Sequence, residues 1–218
     1  MKAGLTAIAL ALIICAMSSA AFARPPKGFH TGPYLALEGG ISYSNFDKNQ
    51  RTGQKAGAAI DPTIGFIFGW NVYDWLSAEM SGRYSTSEKN SRREHIANAN
   101  LVAKAFLITN ALTDFKSLRI LPYAKAGLGM IFADLPEDDI VSTTSTRFTY
   151  GFGPTVGAGV MFLFAKYVYL GINVQGDMLF MQDIRSNVTS GGTTTNTLIY
   201  KGGFQPQLFT SGVAGVHF

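Results

Sequence analysis

FTYGFGPTVGAGVMF, residues 148–162, carries two different chemistries on its alternate positions. The even positions are Phe148, Tyr150, Phe152, Pro154, Val156, Ala158, Val160 and Phe162, and the odd ones are Thr149, Gly151, Gly153, Thr155, Gly157, Gly159 and Met161. A period of two belongs to a β-strand, whose successive side chains leave opposite faces. One face of this strand is bulky and apolar; the other is small or polar.

The same alternation recurs in Tyr34 to Ser44, Ile60 to Tyr73, Leu76 to Tyr84, Ala97 to Leu112, Pro122 to Ala133, Val168 to Phe180 and Phe204 to Phe218, which makes eight segments with the first. The connections alternate too. Residues 45–59, 86–96, 134–147 and 182–199 are long and polar, whereas those near 73–75, 113–117 and 164–167 are tight. Long connections at one end and short ones at the other are the asymmetry of a bacterial transmembrane barrel. The expected fold is therefore all-β, an eight-stranded antiparallel up-and-down transmembrane β-barrel. Pro62, Pro122, Pro154 and Pro206 are expected near strand starts, where a missing N–H is tolerated.

Composition agrees with a membrane setting. Of 218 residues 47% are hydrophobic and only 15% charged, with 24 Gly and 16 Phe. Residues 1–23 read as a cleaved export signal, with Lys2 as the positive region, an apolar core from Leu5 to Met17, and Ala21-Phe22-Ala23 as the cleavage site. The barrel domain then occupies residues 24–218. Cys15, the one cysteine, falls in the signal after Ile14, so disulfides and thiolate chemistry are excluded from the exported chain. Losing Lys2 leaves 17 basic against 14 acidic residues, an excess too mild and too scattered for nucleic-acid binding. No later run reaches the ~20 apolar residues that a membrane-spanning helix needs.

The bulky face can look inward, as in a soluble carrier, or outward into lipid. Ionisable residues on the polar faces number about one per strand: Glu38, Asp61, Glu79, Arg83, Lys104, Lys125, Asp177 and, near the rim, Lys201. Water-facing strands would carry several each. An eight-stranded interior also lacks room for rows of Phe, Tyr and Val from every strand. The bulky face is expected outward, where only a closed barrel leaves no unpaired backbone in lipid. Glu38, Glu79, Arg83, Lys104 and Lys125 then lie at similar depth from the tight-turn end and should pair into a salt-bridged plug, with Asp177 also in the lumen, because an unpaired buried charge costs several kcal/mol. Aromatic girdles are expected from Tyr34, Tyr73, Trp75, Phe164, Tyr167 and Phe218 at the tight-turn end, and from Tyr43, Phe46, Tyr84, Phe132, Phe148 and Phe180 at the other.

The stretch TSGVAGVHF, residues 210–218, places Gly212, Ala214, Val216 and Phe218 on the lipid face. It resembles the carboxy-terminal insertion signal of Gram-negative outer-membrane proteins, an alternating strand finishing in Phe. PYAKAGLGM, residues 122–130, is similar to the PYxGxGLG strand of the small OmpA/OmpX-like outer-membrane barrel family, with Lys125 replacing a usual glycine. The resemblance implies residence in the outer membrane and insertion by the barrel-assembly machinery. It implies no peptidoglycan contact, since the peptidoglycan-binding domain of OmpA has no counterpart here.

Chemistry outside the lumen is sparse. The histidines are His30, His95 and His217, and only His95 with Ser91 and Glu94 could supply a Ser-His-acid set of the lipid-modifying kind. A solvated loop histidine is the simpler reading. DLPEDD, residues 134–139, lacks the spacing and glycine of a calcium loop. Asn187-Val188-Thr189 is a chance sequon in a bacterial export context, and GFGPTVGAGV sits in a strand, so it is no phosphate cradle. No catalytic, cofactor or metal residue is expected. Lys48, Arg51, Lys55, Lys89, Arg92 and Arg93 make the first two loops basic and suit lipopolysaccharide phosphates, while the fourth, RSNVTSGGTTTNT, reads as mobile. The expected role is an envelope or surface-interaction protein, with a narrow porin or a lipid-modifying enzyme as alternatives.

Overall fold

The computed structural model describes residues 31–44, 59–89, 92–107, 118–134, 148–164, 167–190, 193–200 and 202–218. Its strands are β1 (Gly32–Ser44), β2 (Ala59–Tyr73), β3 (Leu76–Lys89), β4 (Arg92–Phe106), β5 (Leu118–Asp134), β6 (Phe148–Phe164), β7 (Val168–Met181), β8 (Ile184–Ser190), β9 (Thr193–Tyr200) and β10 (Gly203–His217). Eight of them close into a barrel in the order β1-β10-β7-β6-β5-β4-β3-β2, every pair antiparallel. The expected eight-stranded all-β barrel is the observed one.

The register fixes its shape. Directly paired residues lead from Tyr34 through Gly69, Glu79, Val102, Gly127, Thr155, Asp177 and Gln207 back to β1 at Ser44, ten residues beyond the start. With ~3.3 Å per residue and ~4.8 Å between strands, that stagger tilts the strands about 40° from the barrel axis.

Three features depart from the sequence expectations. The long connection at 86–96 is mostly ladder: β3 and β4 stay paired from Thr86 opposite His95 to Lys89 opposite Arg92, with Glu88 opposite Arg93. Polar strands pair as well in water as in lipid, and opposite charges at facing positions favour it. The Thr-rich segment at 182–199 forms a separate two-stranded sheet, β8 with β9. Its β-branched residues favour extended backbone. The prolines sit inside strands rather than at their starts. Pro154 lies where the β6–β7 pairing is interrupted between Phe152 and Thr155, and Pro206 lies one residue past the last β1–β10 pair, so each has one flank, toward β7 and β1 respectively, where no ladder donor is asked of it. The ladders on the other flanks run on through Leu128 opposite Pro154 and Met178 opposite Pro206. The connections at 45–58, 108–117 and 135–147 lie outside the described residues, as do His30, Phe46 and Lys201.

The outer surface is apolar along the strands. Leu37 and Ile64 are 71% and 68% exposed, and Leu101, Leu128, Phe152 and Ile172 all face out. Such a band is stable only against hydrocarbon. Its ends carry rings: Tyr73 stacks on Trp75, and Phe164, Tyr167 and Phe218 are exposed at the tight-turn end; Tyr43, Tyr84, Phe148 and Phe180 are exposed at the other, where Phe132 stacks on Phe148. Tyr34 is the exception to the expected girdle. It shares strand parity with Ala36 and Glu38, so it points inward and is fully buried.

The lumen is filled in tiers. Tyr34, Phe106, Leu121, Tyr123, Met161, Leu163 and Tyr169 pack at the tight-turn end, and Ile96, Ile131, Ala133, Leu179 and Met181 at the other. Rings fit so narrow a space because each inward tyrosine faces a glycine: Tyr34 pairs with Gly69, Tyr123 with Gly159 and Tyr169 with Gly215. A Cβ on Gly159 would come within 2.4 Å of the Tyr123 hydroxyl, and one on Gly215 within 2.5 Å of Tyr169 Cζ. The glycine-rich face of β6 is the complement of bulk on its neighbours.

Candidate functional site

Between the apolar tiers the inward positions of β1, β3, β4, β5 and β7 gather Glu38, Glu79, Arg83, Lys104, Lys125 and Asp177, each at most 5% exposed. They form two adjoining groups rather than one ring of charges.

The first surrounds Glu79. Its Oε2 accepts from Lys104 Nζ at 2.8 Å and from the Tyr34 hydroxyl at 2.8 Å, while Oε1 accepts from Lys125 Nζ at 3.5 Å. The Lys104 ammonium lies 4.5 Å from the ring centre of Tyr123, 5.2 Å from Tyr34 and 5.4 Å from Phe106. Three ring faces and a carboxylate thus replace the water that this cation loses.

The second crosses the barrel. Arg83 Nε donates to Glu38 Oε1, and Nη2 donates to Glu38 Oε2 at 3.3 Å and to Gln175 Oε1 at 2.8 Å. Ser211 adds a hydroxyl to Glu38 at 3.2 Å. Gln175 Nε2 passes the chain on to Asp177 Oδ1 at 2.8 Å, and Thr155 donates to the same oxygen. The guanidinium plane rests 4.9 Å above Phe209. Ser211, Glu38, Arg83, Gln175 and Asp177 therefore link β10, β1, β3 and β7 through the centre of the lumen. A two-point Arg–carboxylate contact is the geometry in which a buried ion pair holds best, and here Nε and Nη2 carry it while Nη1 has no hydrogen-bond partner among the described residues.

At the tight-turn end His217 lies 5.1 Å from both the Tyr34 and Tyr169 ring centres. Its Nδ1 accepts from Asn71 Nδ2 at 3.2 Å, and Ser77 donates to Asn71 Oδ1. Asn71 thus stands between Ser77 and His217 in this run of hydrogen bonds. His95 faces outward and meets the Tyr84 hydroxyl at 2.5 Å with the rings stacked. Ser91 lies outside the described residues, and for Glu94, Arg92 and Arg93 only the backbone at the tip of β4 is described. Lys48, Arg51 and Lys55 are also outside them, as is all of residues 135–139. Among the described residues no three His, Cys, Asp or Glu side chains cluster to hold a metal.

Gly212, Ala214, Val216 and Phe218 all lie on the exposed side of β10, and its inward residues Val213 and His217 are buried. The strand is pinned to its end: His217 N–H donates to Tyr167 O at 2.7 Å and Phe218 N–H to Pro33 O at 3.0 Å.

Gln175, Ser211, Thr155 and Phe209, which complete the charged layer, escape a search for ionisable residues. Strand parity would have found them: Gln175 shares a face with Asp177, and Phe209 and Ser211 are direct neighbours of inward residues on β1 and β7.

Comparison with known proteins follows the geometry. The family model described as "Outer membrane protein beta-barrel domain" matches residues 7–201. Neisserial surface protein A is similar in structure, at 16% identity over 86% of this chain and 98% of its own, with a TM-score of 0.53. The outer membrane protein OprG from Pseudomonas aeruginosa aligns at 12% identity over 87% of this chain and 98% of its own, with a TM-score of 0.54. At such identities the likeness is one of fold. No curated protein sequence matches significantly.

Proposed function

This chain belongs to the outer membrane protein beta-barrel domain family, and from that premise we propose that it is a non-enzymatic, non-conducting envelope protein that works through its long-connection end. In this reading residues 1–23 are removed on export, and the barrel-assembly machinery recognises Gly212, Ala214, Val216 and Phe218. The basic residues Lys48, Arg51, Lys55, Arg92 and Arg93 engage lipopolysaccharide phosphates.

One observation carries the non-conducting part: the bonded chain from Ser211 through Glu38, Arg83 and Gln175 to Asp177 spans the lumen between two apolar tiers. Ions would have to break a buried pair and then pass closely packed tyrosines. With the interior occupied and the wall facing lipid, contact with other molecules falls to the connections and the projecting β3–β4 and β8–β9 ladders.

Planar-bilayer recording on the refolded wild type tests this. The expected result is a silent membrane at moderate voltage, with transient openings in Glu38→Ala or Arg83→Ala. Steady wild-type conductance would overturn the sealed reading and leave a narrow porin. Binding to lipopolysaccharide-containing vesicles should weaken in a variant with all five basic residues changed to Ser; unchanged binding removes the phosphate contact.

A further inference from the structure

We infer that the long-connection half of the lumen holds a divalent hard cation, bound by Asp177 and Gln207 with Asp61 across the wall from them. The starting point is an imbalance of charge. Arg83 is paired with Glu38, and Lys104 and Lys125 both serve Glu79, so all three buried cations are committed at or below the middle of the barrel. Asp61 and Asp177 are 4% and 1% exposed and form no ion pair among the described residues. Among the described residues the four buried carboxylates, Glu38, Glu79, Asp61 and Asp177, meet three cations, so the lumen is one positive charge short, and the two carboxylates left without an ion pair stand apart from the lysine surplus at Glu79.

The second observation concerns oxygen. Asp177 Oδ2, Asp61 Oδ2 and Gln207 Oε1 are buried and accept no hydrogen bond among the described residues. Asp177 and Gln207 are direct partners across β7 and β10, Gln207 is opposite Ser44 on β1, and Ser42 of that strand is opposite Asp61 on β2. The stagger of the barrel brings these residues to one level, as an arc of carboxylate, amide and hydroxyl oxygens over four adjacent strands. The facing wall at that level carries Ile96 and Ile131 with their direct partners Ser85 and Asn98, and Leu179 lies two residues from Asp177 on β7 itself.

Oxygen donors of this kind select Ca²⁺ or Mg²⁺ rather than a transition metal. Ca²⁺ suits the arc better. It accepts irregular geometry and mixes carboxylate, amide and water ligands, whereas Mg²⁺ demands a near-octahedral shell and keeps most of its water. Three acidic or histidine ligands are not required, because amide oxygens and water complete such a shell. The site stands whether or not the barrel conducts.

Equilibrium dialysis with ⁴⁵Ca²⁺ on the full mature chain, refolded in detergent and checked by its heat-modifiable gel shift, tests the site. The wild type should bind one ion per barrel, more weakly competed by Mg²⁺. Asp177→Asn, Gln207→Leu and Asp61→Asn should each weaken binding about tenfold or more, and added Ca²⁺ should raise the unfolding temperature of the wild type but not of Asp177→Asn. If Asp177→Asn does not fold, Gln207→Leu and Asp61→Asn decide. A folded wild type that binds no Ca²⁺ overturns the proposal. So does binding that Gln207→Leu and Asp61→Asn leave unchanged, which would assign the ion to acids such as those of residues 134–139.

Discussion

Tyr34 lies directly opposite Gly69 across the β1–β2 ladder, and its ring occupies the place where a side chain at 69 would begin: a Cβ there would sit 2.0 Å from Tyr34 Cζ. The same ring donates its hydroxyl to Glu79 and forms one wall around Lys104. A missing methyl group on one strand thus decides where a charge on another can be neutralised.

Gly69→Ala should therefore destabilise the barrel by about 1–3 kcal/mol, the range for overpacking a filled interior. Tyr34→Phe, which keeps the ring and loses one hydrogen bond to a charged group, should cost roughly 1.5–3 kcal/mol. In the Tyr34→Ala background Gly69→Ala should become nearly neutral. Urea unfolding in lipid vesicles, followed by tryptophan fluorescence, measures all three.

Removing one member of the Glu38–Arg83 pair strands the other in the lumen. Arg83→Met and Glu38→Leu should each cost about 3–5 kcal/mol, while the double variant should be no worse than the more damaging single one. A double-mutant cycle on the same unfolding assay checks this. Additive losses would mean that the two side chains do not depend on each other.

Glu79 holds two ammonium groups, so the three residues should differ in sensitivity. Glu79→Leu leaves Lys104 and Lys125 facing each other without an anion and should be the most damaging change. Lys125→Met removes the longer contact, at 3.5 Å, and should be milder than Lys104→Met, which removes the 2.8 Å contact and the ammonium among three rings. The order of unfolding midpoints is the readout.

Leu101 and Leu128 are direct partners on β4 and β5, and both point outward near mid-strand. Leu101→Arg should cost about 2–4 kcal/mol in a bilayer, the value for a basic residue at the membrane midplane of a barrel. The same change at Phe164, close to the tight-turn rim, should cost about 1 kcal/mol or less from its charge. Equal costs at the two depths would mean that the apolar band does not face hydrocarbon.

Among the described residues the β8–β9 ladder pairs only with itself, and beneath it β7 and β10 are already joined at Met181 and Gly203. Replacing residues 184–200 by a short Gly-Ser connection should leave the heat-modifiable gel shift intact. Loss of that shift would make the hairpin part of the folding unit.

Much of this architecture is legible from residues 148–162 because lipid outside and a narrow lumen inside impose opposite demands at every second position. The individual charge partners are less legible. Whether Arg83 meets Glu38 or Glu79 depends on the stagger of the strands, and the alternating pattern is the same for several staggers. Tyr34 is misplaced by position alone, since a ring near a strand end suits a girdle as well as a lumen; its parity with Glu38 is what decides. Residues 184–200 carry two conflicting signals. Their polarity reads as a loop and their threonines as strand, and pairing between the two halves settles the contest.

The seam of the barrel joins Tyr34 to His217, so the ring cannot shut until the residues of β10 have been made and delivered. Every earlier species carries two open edges and an oily exterior, conditions that favour aggregation in water. Contacts of such sequence separation also form slowly. Until β10 docks, the stability of the finished cylinder protects nothing, and the interval before closure is the one in which the chain is most open to association with its own copies.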